Sequence, residues 1–344
     1  MRALSMLHDV SQAPNDNPMI VSAKRAVVFA LYDGVQLLDF AGPAEAFATA
    51  DAITPGGAYT ITYLAKGEWA ATSANAKVAT APIAMFKGDI DTLIVPGALG
   101  TPLFAALADA EWLSAMASLA SRARRIVSVC SGSFVLGALG LLRKRRATTH
   151  WLGIDTMAEM YPETCLVRNA LFVEDGAVWT SAGVTAGIDT AVALIARDLG
   201  PEAAFRVAHA LVLPMMRSGD QTQVSHLLTF QRLAGPKLAR LIPWIEARLC
   251  APIATADMAQ AMAMSERTLH RQCLDAFGMP PARLVAELRL ARAAALLALP
   301  DASVKAVSAH CGFGDPAAFS RAFNKRFGYP PEYASRQPGL RSET

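Results

Sequence analysis

At 344 residues with 53% hydrophobic composition, the chain is long enough for two domains and apolar enough to bury a core in each, which excludes a disordered protein. Its five cysteines, Cys130, Cys165, Cys250, Cys273 and Cys311, form no CxxC pair and no zinc-like cluster, so reduced thiols are expected, with no metal and no cofactor. The net charge of +3 is unevenly spread: residues 236–344 carry 14 Lys and Arg against 9 Asp and Glu, while the remainder carries 18 against 20, so the C-terminal segment is the part suited to a polyanion.

Residues 1–22 have one early Arg, an acidic and amide-rich middle and no sustained apolar run. This reads as a flexible leader, neither a signal peptide nor a membrane span, and the expected compartment is the cytoplasm. From Ala26 to about Gly200, short apolar strands alternate with amphipathic helices. The strands are Ala26–Leu31, Tyr59–Leu64, Thr92–Val95, Arg125–Val129 and Val178–Ser181; the helices include Ala44–Ala50, Glu111–Arg122 and Ala186–Leu199. That alternation predicts a parallel α/β sandwich over residues 23–212.

Within it, the strand Arg125–Val129 runs into Cys130-Ser131-Gly132-Ser133 and then an apolar helix, Phe134–Leu142. A nucleophile at such a strand-to-helix turn is expected to stand exposed above the sheet, with the helix N-terminus favouring thiolate. Asp39 follows the first strand and His150 lies in Ala147-Thr148-Thr149-His150-Trp151, both at strand or loop ends, where doubly wound sheets gather ligands. A lone Cys at this turn is also compatible with a structural role.

Residues 213–235 turn polar around Arg217-Ser218-Gly219-Asp220 and read as a linker with room for one helix. Beyond Pro236 the β signals vanish and an internal repeat appears: Leu269–Pro281 aligns without a gap on Phe319–Pro331, at an offset of fifty residues. Arg271/Arg321, Phe277/Phe327, Gly278/Gly328, Pro280/Pro330 and Pro281/Pro331 are identical. Each copy is an amphipathic helix closed by Gly and Pro-Pro, capped by Ser265 in the first copy and by Asp315, with Pro316 in the first turn, in the second. A short helix precedes each, Ala256–Met262 after Thr255 and Val304–His310 after Ser303. Two helices joined by a tight turn, twice over, is the helix-turn-helix layout. Between the copies, Ala282–Leu299 reads as one long helix with Leu284, Leu288, Ala291, Ala295 and Leu299 on one face, a strut able to hold two helices near successive major-groove faces. An all-α module binding protein is the alternative, and the paired Arg-bearing helices weigh against it.

Residues 236–337 resemble an AraC/XylS-type DNA-binding domain, in Met258-Ala259, in the stretch from Met264-Ser265-Glu266 to His270-Arg271, in Leu290-Ala291-Arg292-Ala293, and from Cys311-Gly312-Phe313 to Ala322-Phe323. The resemblance implies that Arg267, His270 and Arg271 read bases in the first unit and Ser320 and Arg321 in the second, with Pro316 and Ala317 near the groove. Lys325 and Arg326 are expected at phosphates. Ala263 stands where that family usually has Gly in the turn, and Cys273 where it has an aromatic.

The α/β half resembles the class I glutamine-amidotransferase-like superfamily that includes ThiJ/PfpI proteins, with a flavodoxin-like sheet. The residues that carry this are Leu38-Asp39-Phe40-Ala41-Gly42-Pro43, Val95-Pro96-Gly97, Val129-Cys130-Ser131-Gly132-Ser133, Arg146–Trp151 and Thr180–Asp189. Asp39 and Cys130 match the acid and nucleophile of isonitrile hydratases; Ser131, where the protease branch has His, argues against peptidase activity, and the amidotransferase Cys-His-Glu triad is not recognisable. Together the halves resemble the GlxA/FtrA-like regulators. What this implies is a sequence-specific transcription regulator, not an enzyme, with a small metabolite bound around Asp39, Gly97, Cys130, Ser131 and His150. The implied partners are a double-stranded DNA operator, a small-molecule effector and a second copy of the chain, with RNA polymerase as a candidate contact and no membrane. The alternatives are a working isonitrile hydratase or amidase with a DNA-binding appendage, and a thiol redox sensor at Cys130. Residues 338–344 are left as a tail.

Overall fold

The computed structural model describes residues 23–223, 226–297, 302–327 and 329–332; the expected leader, the expected tail, Leu299 and Gly328 lie outside them. The N-terminal half comprises β1 (Arg25–Ala30), α1 (Leu37–Ile53), β2 (Tyr59–Ala65), β3 (Trp69–Ala71), β4 (Lys77–Ala79), β5 (Ala81–Pro82), β6 (Thr92–Val95), α2 (Thr101–Ala108), α3 (Ala110–Arg122), β7 (Arg125–Val129) and α4 (Gly132–Ala138). It continues with β8 (Arg146–Ala147), α5 (Ile154–Met160), β9 (Cys165–Leu166), β10 (Phe172–Asp175), β11 (Val178–Ser181), α6 (Thr185–Leu199) and α7 (Pro201–Ala210).

Seven strands form one sheet in the order β10-β11-β7-β6-β1-β2-β5. All neighbours are parallel except β10, which pairs antiparallel with β11, so the sheet is the parallel-dominated one expected, with one antiparallel edge strand. The central strands β6 and β7 are buried along their whole length, which is why they read as continuous apolar runs with no alternation. One apolar cluster, including Phe29, Phe47 and Ile195, fills one face of the sheet, and another, including Leu93, Met116 and Leu136, fills the other. Strand order reverses at β1, which has β2 on one side and β6 on the other, so the carboxyl ends of β1, β6 and β7 meet at a topological switch point.

The stretch set aside as linker is mostly packed chain. Leu213 and Met216 lie against the sheet core, Arg217 pairs with Asp189 of α6, and the Gly219 carbonyl accepts from Leu171 N at 2.8 Å. Downstream, α8 (His226–Leu238) is broken at Gly235, whose φ of +56° no helical residue takes, and Ala234 and Leu238 are buried in the helical half.

That half continues with α9 (Leu241–Glu246), α10 (Thr255–Ala261), α11 (Glu266–Phe277), α12 (Pro281–Leu297), α13 (Val304–His310) and α14 (Pro316–Phe327). Ser265 Oγ accepts from Thr268 N, Ser303 Oγ from Ala306 N, and the Asp315 carboxylate from Ala317 N and Ala318 N, so three of the four expected caps are formed. Thr255 is not one of them. It lies inside α10, and Asp257 reaches back to accept from Ala254 N at 3.2 Å instead.

The long helix α12 spans about 26 Å, at ~1.5 Å per residue, and differs from the single-faced strut expected. Ala291 is exposed. Leu284, Val285 and Leu288 are buried with α10 and α11, whereas Leu290, Ala293 and Leu297 are buried with α13 and α14. At about 100° per residue these two sets point to nearly opposite sides. The helix therefore serves two separate cores, one at each end, and a single-stripe reading of its sequence fails for that reason.

Candidate DNA-reading faces and the cysteine elbow

On α11, Leu269, Cys273 and Phe277 are buried at a spacing of four, which leaves Arg267, His270, Arg271 and Leu274 together on the exposed face. On α14 the same spacing buries Phe319 and Phe323. The fifty-residue offset then places Ala317, Ser320, Arg321 and Asn324 at the corresponding outward positions; Ser320 is half-buried and the other three are accessible. The expected residues thus share one face in each unit. Sequence reading missed the fourth position: Leu274, 43% exposed, offers an apolar contact of the kind that meets a thymine methyl, and Asn324 can pair with adenine N6 and N7. The offset itself, carried three residues past Arg271 and Arg321, was the signal.

Arg326 is placed differently from expectation. Its guanidinium bonds Glu287 of α12 at 2.8 Å and lies over the Phe327 ring at 5.2 Å, so it fastens α14 to the strut. Lys325 remains exposed. Arg321 makes only a 3.8 Å surface pair with Asp315, and such exposed pairs are weak enough for a phosphate or base to displace.

The turns of the two units match in detail. In the first, Met262, Ala263 and Met264 N–H groups bond the carbonyls of Met258, Gln260 and Ala259; in the second, Cys311, Gly312 and Phe313 bond those of Val307, Ala309 and Ser308. Here the offset is forty-nine, because the second turn carries one residue more before its cap. Ala263 is therefore the counterpart of Gly312, and both are left-handed, at φ +53° and +73°. A left-handed residue with a Cβ costs about 1–2 kcal/mol, so Ala263 is strained where Gly312 is not.

In the α/β half, Asp39, Gly97, Cys130 and Ser131 converge at the switch point. Asp39 sits in the first turn of α1, which starts seven residues earlier than its apolar pattern announced, and not in a loop. Its carboxylate accepts from Val184 N at 2.7 Å and Gly97 N at 3.2 Å, and it also hydrogen-bonds the Cys130 side chain. Ser131 Oγ donates to the Ala98 carbonyl at 2.6 Å and accepts from Ala98 N at 3.0 Å. Cys130 is left-handed at φ +57°, and a Cβ on Gly183 would stand 2.1 Å from that of Cys130, so the elbow closes only over a glycine. Val184, a β-branched residue at φ +51°, is strained to aim its N–H at Asp39. Neither Gly183 nor Val184 was legible as a site residue, because nothing in the local pattern signals their backbone conformation.

Exposure of the thiol is not observed. Cys130 is 1% exposed and Asp39 fully buried, and burial, followed by the Asp39 charge, pushes the thiol well above the ordinary cysteine range. The favourable interactions with Ser131 are smaller. The expectation of a helix-stabilised thiolate is therefore corrected: desolvation outweighs the field of the short helix α4. Burial likewise raises Asp39, against the three hydrogen bonds that lower it. His150 does not join them; its Nδ1 accepts from Leu152 N at 3.4 Å, while its neighbour Thr149 donates to the Cys130 carbonyl at 3.1 Å. Among the described residues no group of three His, Cys, Asp or Glu side chains could hold a metal ion, and no single helix is long and apolar enough to cross a membrane.

Residues 24–197, half the chain, match the DJ-1/PfpI family. The chain belongs to that family. Residues 258–337 match a helix-turn-helix domain, the second of the two parts. Among relatives, the chain is 37% identical over 201 residues to the HTH-type transcriptional regulator CdhR of Pseudomonas aeruginosa, covering 58% of this chain and 60% of that protein. It is 32% identical over 217 residues to the HTH-type transcriptional regulator ArgR of the same species, covering 63% and 66%. The chain thus spans less than two thirds of the length of either regulator. An isonitrile hydratase of Pseudomonas putida is 33% identical over 179 residues, covering 51% of this chain and 73% of that enzyme. A ThiJ/PfpI family protein of Pseudomonas syringae superposes with a TM-score of 0.51 at 27% identity, covering 68% of this chain and 96% of that one. This chain thereby joins a DJ-1/PfpI sheet domain, built around a cysteine elbow, to an AraC-type helix-turn-helix domain.

Proposed function

We propose that this chain is a sequence-specific DNA-binding transcription regulator of the cytoplasm, acting as a homodimer and controlled by a small molecule bound in its α/β half. The observation that carries this reading is the pair of outward faces, Arg267/His270/Arg271/Leu274 and Ala317/Ser320/Arg321/Asn324, set at equivalent positions on two capped helices at opposite ends of one strut. Arg271 and Arg321 bond guanine O6 and N7, His270 and Ser320 bond base edges or phosphates, and Lys325 adds a phosphate contact. The names of the related regulators support the same role.

The enzymatic reading rests on the Asp39–Cys130 contact and on the likeness to an isonitrile hydratase. Burial, which pushes the Cys130 thiol up, and the helix-turn-helix half joined to this domain favour regulation over turnover. The same burial weighs against a peroxide sensor at Cys130.

The test is selection from randomised duplex DNA by the purified full chain. One motif should be enriched, and binding to it should weaken steeply between about 50 and 200 mM salt as phosphate contacts release counterions. Enrichment of no sequence, or binding indifferent to salt, would contradict the proposal.

A further inference from the structure

A large cavity of the α/β half lies away from the cysteine elbow. A space of 830 Å³ lies between the β10–β11 edge of the sheet, helix α6 and the segment 213–222, and none of Asp39, Gly97, Cys130, Ser131 or His150 lines it. Its size falls within the range of small-molecule sites. Phe172 and Trp179 stack at 6.0 Å and 18° to form a flat wall, and Val192, Ala196, Leu213 and Met216 complete an apolar body.

Most of its charged groups are paired; among the described residues Arg146 and Asp220 have no ionic partner, and Asp220 accepts a hydrogen bond from Ser218 instead. Arg217 is held by Asp189, with Nε 3.1 Å from both carboxylate oxygens, Arg197 by Glu174 at 2.6 Å, and Arg168 by Asp155 at 2.5 Å. Arg146, half-buried in the lining, has no carboxylate partner among the described residues. A lone guanidinium beside an apolar wall suits a small molecule with an anionic group at one end and an apolar or aromatic body.

The cover of the cavity leads to the reader. Segment 213–223 is strapped down by the Arg217–Asp189 pair, by the Gly219 carbonyl on Leu171 N, and by Gln223 Nε2 on the carbonyls of Thr149 and Ala170 at 2.9 and 3.1 Å. A Cβ on Gly219 would stand 2.4 Å from the Phe172 carbonyl oxygen, so the strap lies directly on the cavity wall. Asp220 on the same strap is the charged neighbour of Tyr329 in the second reading unit; burial first and this carboxylate second push the tyrosine hydroxyl up to about 12. Within four residues of Gln223 the chain enters α8, which packs on α11.

We infer that this cavity, with Arg146 as its anchor, is the effector site, that it takes a small apolar or aromatic carboxylate, and that occupancy reports to the DNA reader through the strap 213–223. This deepens the regulatory reading and moves its effector away from Cys130.

The experiment is calorimetric titration of the full chain, without DNA, with hexanoate, benzoate, phenylacetate and indole-3-acetate, each paired with its neutral amide. At least one acid should bind saturably and its amide at least tenfold more weakly. Arg146→Gln should weaken that acid at least tenfold, and Ala193→Trp, which fills the cavity, should abolish binding. Ala193→Leu serves as a milder filling should the Trp variant not fold, and Cys130→Ser should leave binding unchanged. No saturable binding by any acid, equal binding of amides, or binding that survives both Arg146→Gln and cavity filling overturns the inference. Because DNA is absent, failure here leaves the DNA-binding reading standing, and failure of DNA selection leaves this result standing.

Discussion

At the three inward positions of the two recognition helices, α11 places Leu269, Cys273 and Phe277 where α14 places Phe319, Phe323 and Phe327. The second unit fills its core with its own rings: Phe319, Phe327 and Tyr329 surround Phe323 at centroid distances of 5.5, 4.5 and 5.9 Å. The first lacks that volume and recruits it from upstream. Phe230 of α8 meets Phe277 edge-on at 5.8 Å, and Leu238, Leu241, Ile242 and Ile245 bury themselves beside Leu269 and Cys273. The difference teaches that the two units are similar in the outward faces they present and dissimilar in what holds them. The first is packed on the chain that arrives from the α/β half. The second rests on α12 and on itself, through the Arg326–Glu287 pair and its aromatic stack.

The comparison breaks most visibly at Phe323. Phe323→Ala should cost about 3–5 kcal/mol, the usual range for emptying a packed aromatic site, read as lost hydrogen-exchange protection in α13 and α14 with α11 nearly unchanged. Equal loss in both units would mean that they share one core. Phe230→Ala should do the converse at about 2 kcal/mol, because this ring is only half-buried, loosening α11 and sparing α14.

A smaller effect sharpens the turn comparison. Ala263→Gly should stabilise the first unit by about 1 kcal/mol by relieving a left-handed Cβ. Gly312→Ala should destabilise the second by more, since its Cβ would meet the Leu249 carbonyl oxygen at 2.3 Å and the Arg289 guanidinium at 2.8 Å. Thermal unfolding of both variants checks the signs. The smallest expected effect on the fold is at the elbow. Iodoacetamide under native conditions should label the exposed Cys165 and Cys250 and leave Cys130, Cys273 and Cys311 intact until the chain unfolds. Prompt labelling of Cys130 would reinstate a reactive thiol.

Much of this architecture was legible. The strands Thr92–Val95, Arg125–Val129 and Val178–Ser181 carry strong local apolar signals and form with those bounds, and capping chemistry located α11, α13 and α14. What escaped depends on partners distant in sequence. Ala291 looked like core because a single stripe was assumed, whereas α12 changes sides between two cores. Segment 213–223 is polar yet ordered, because its polar groups find Asp189, Leu171 and Ala170 across the fold. Cys130 matched a nucleophile motif, but no motif reports how deeply a thiol is buried or that a carboxyl group stands against it. Arg326 read as a phosphate contact because its pairing with Glu287 is a tertiary fact.

The central claim is that two equivalent faces read two separate stretches of one DNA site. Its most direct measurement is base-by-base specificity, obtained by selection from randomised DNA with the wild type, Arg271→Ala and Arg321→Ala. Each variant should lose about 1–3 kcal/mol of specific binding and relax preference at one short cluster of positions. The two clusters should be distinct and lie about 10 base pairs apart, one major-groove turn. Relaxation of the same positions by both variants, or unchanged specificity in either, would contradict the account.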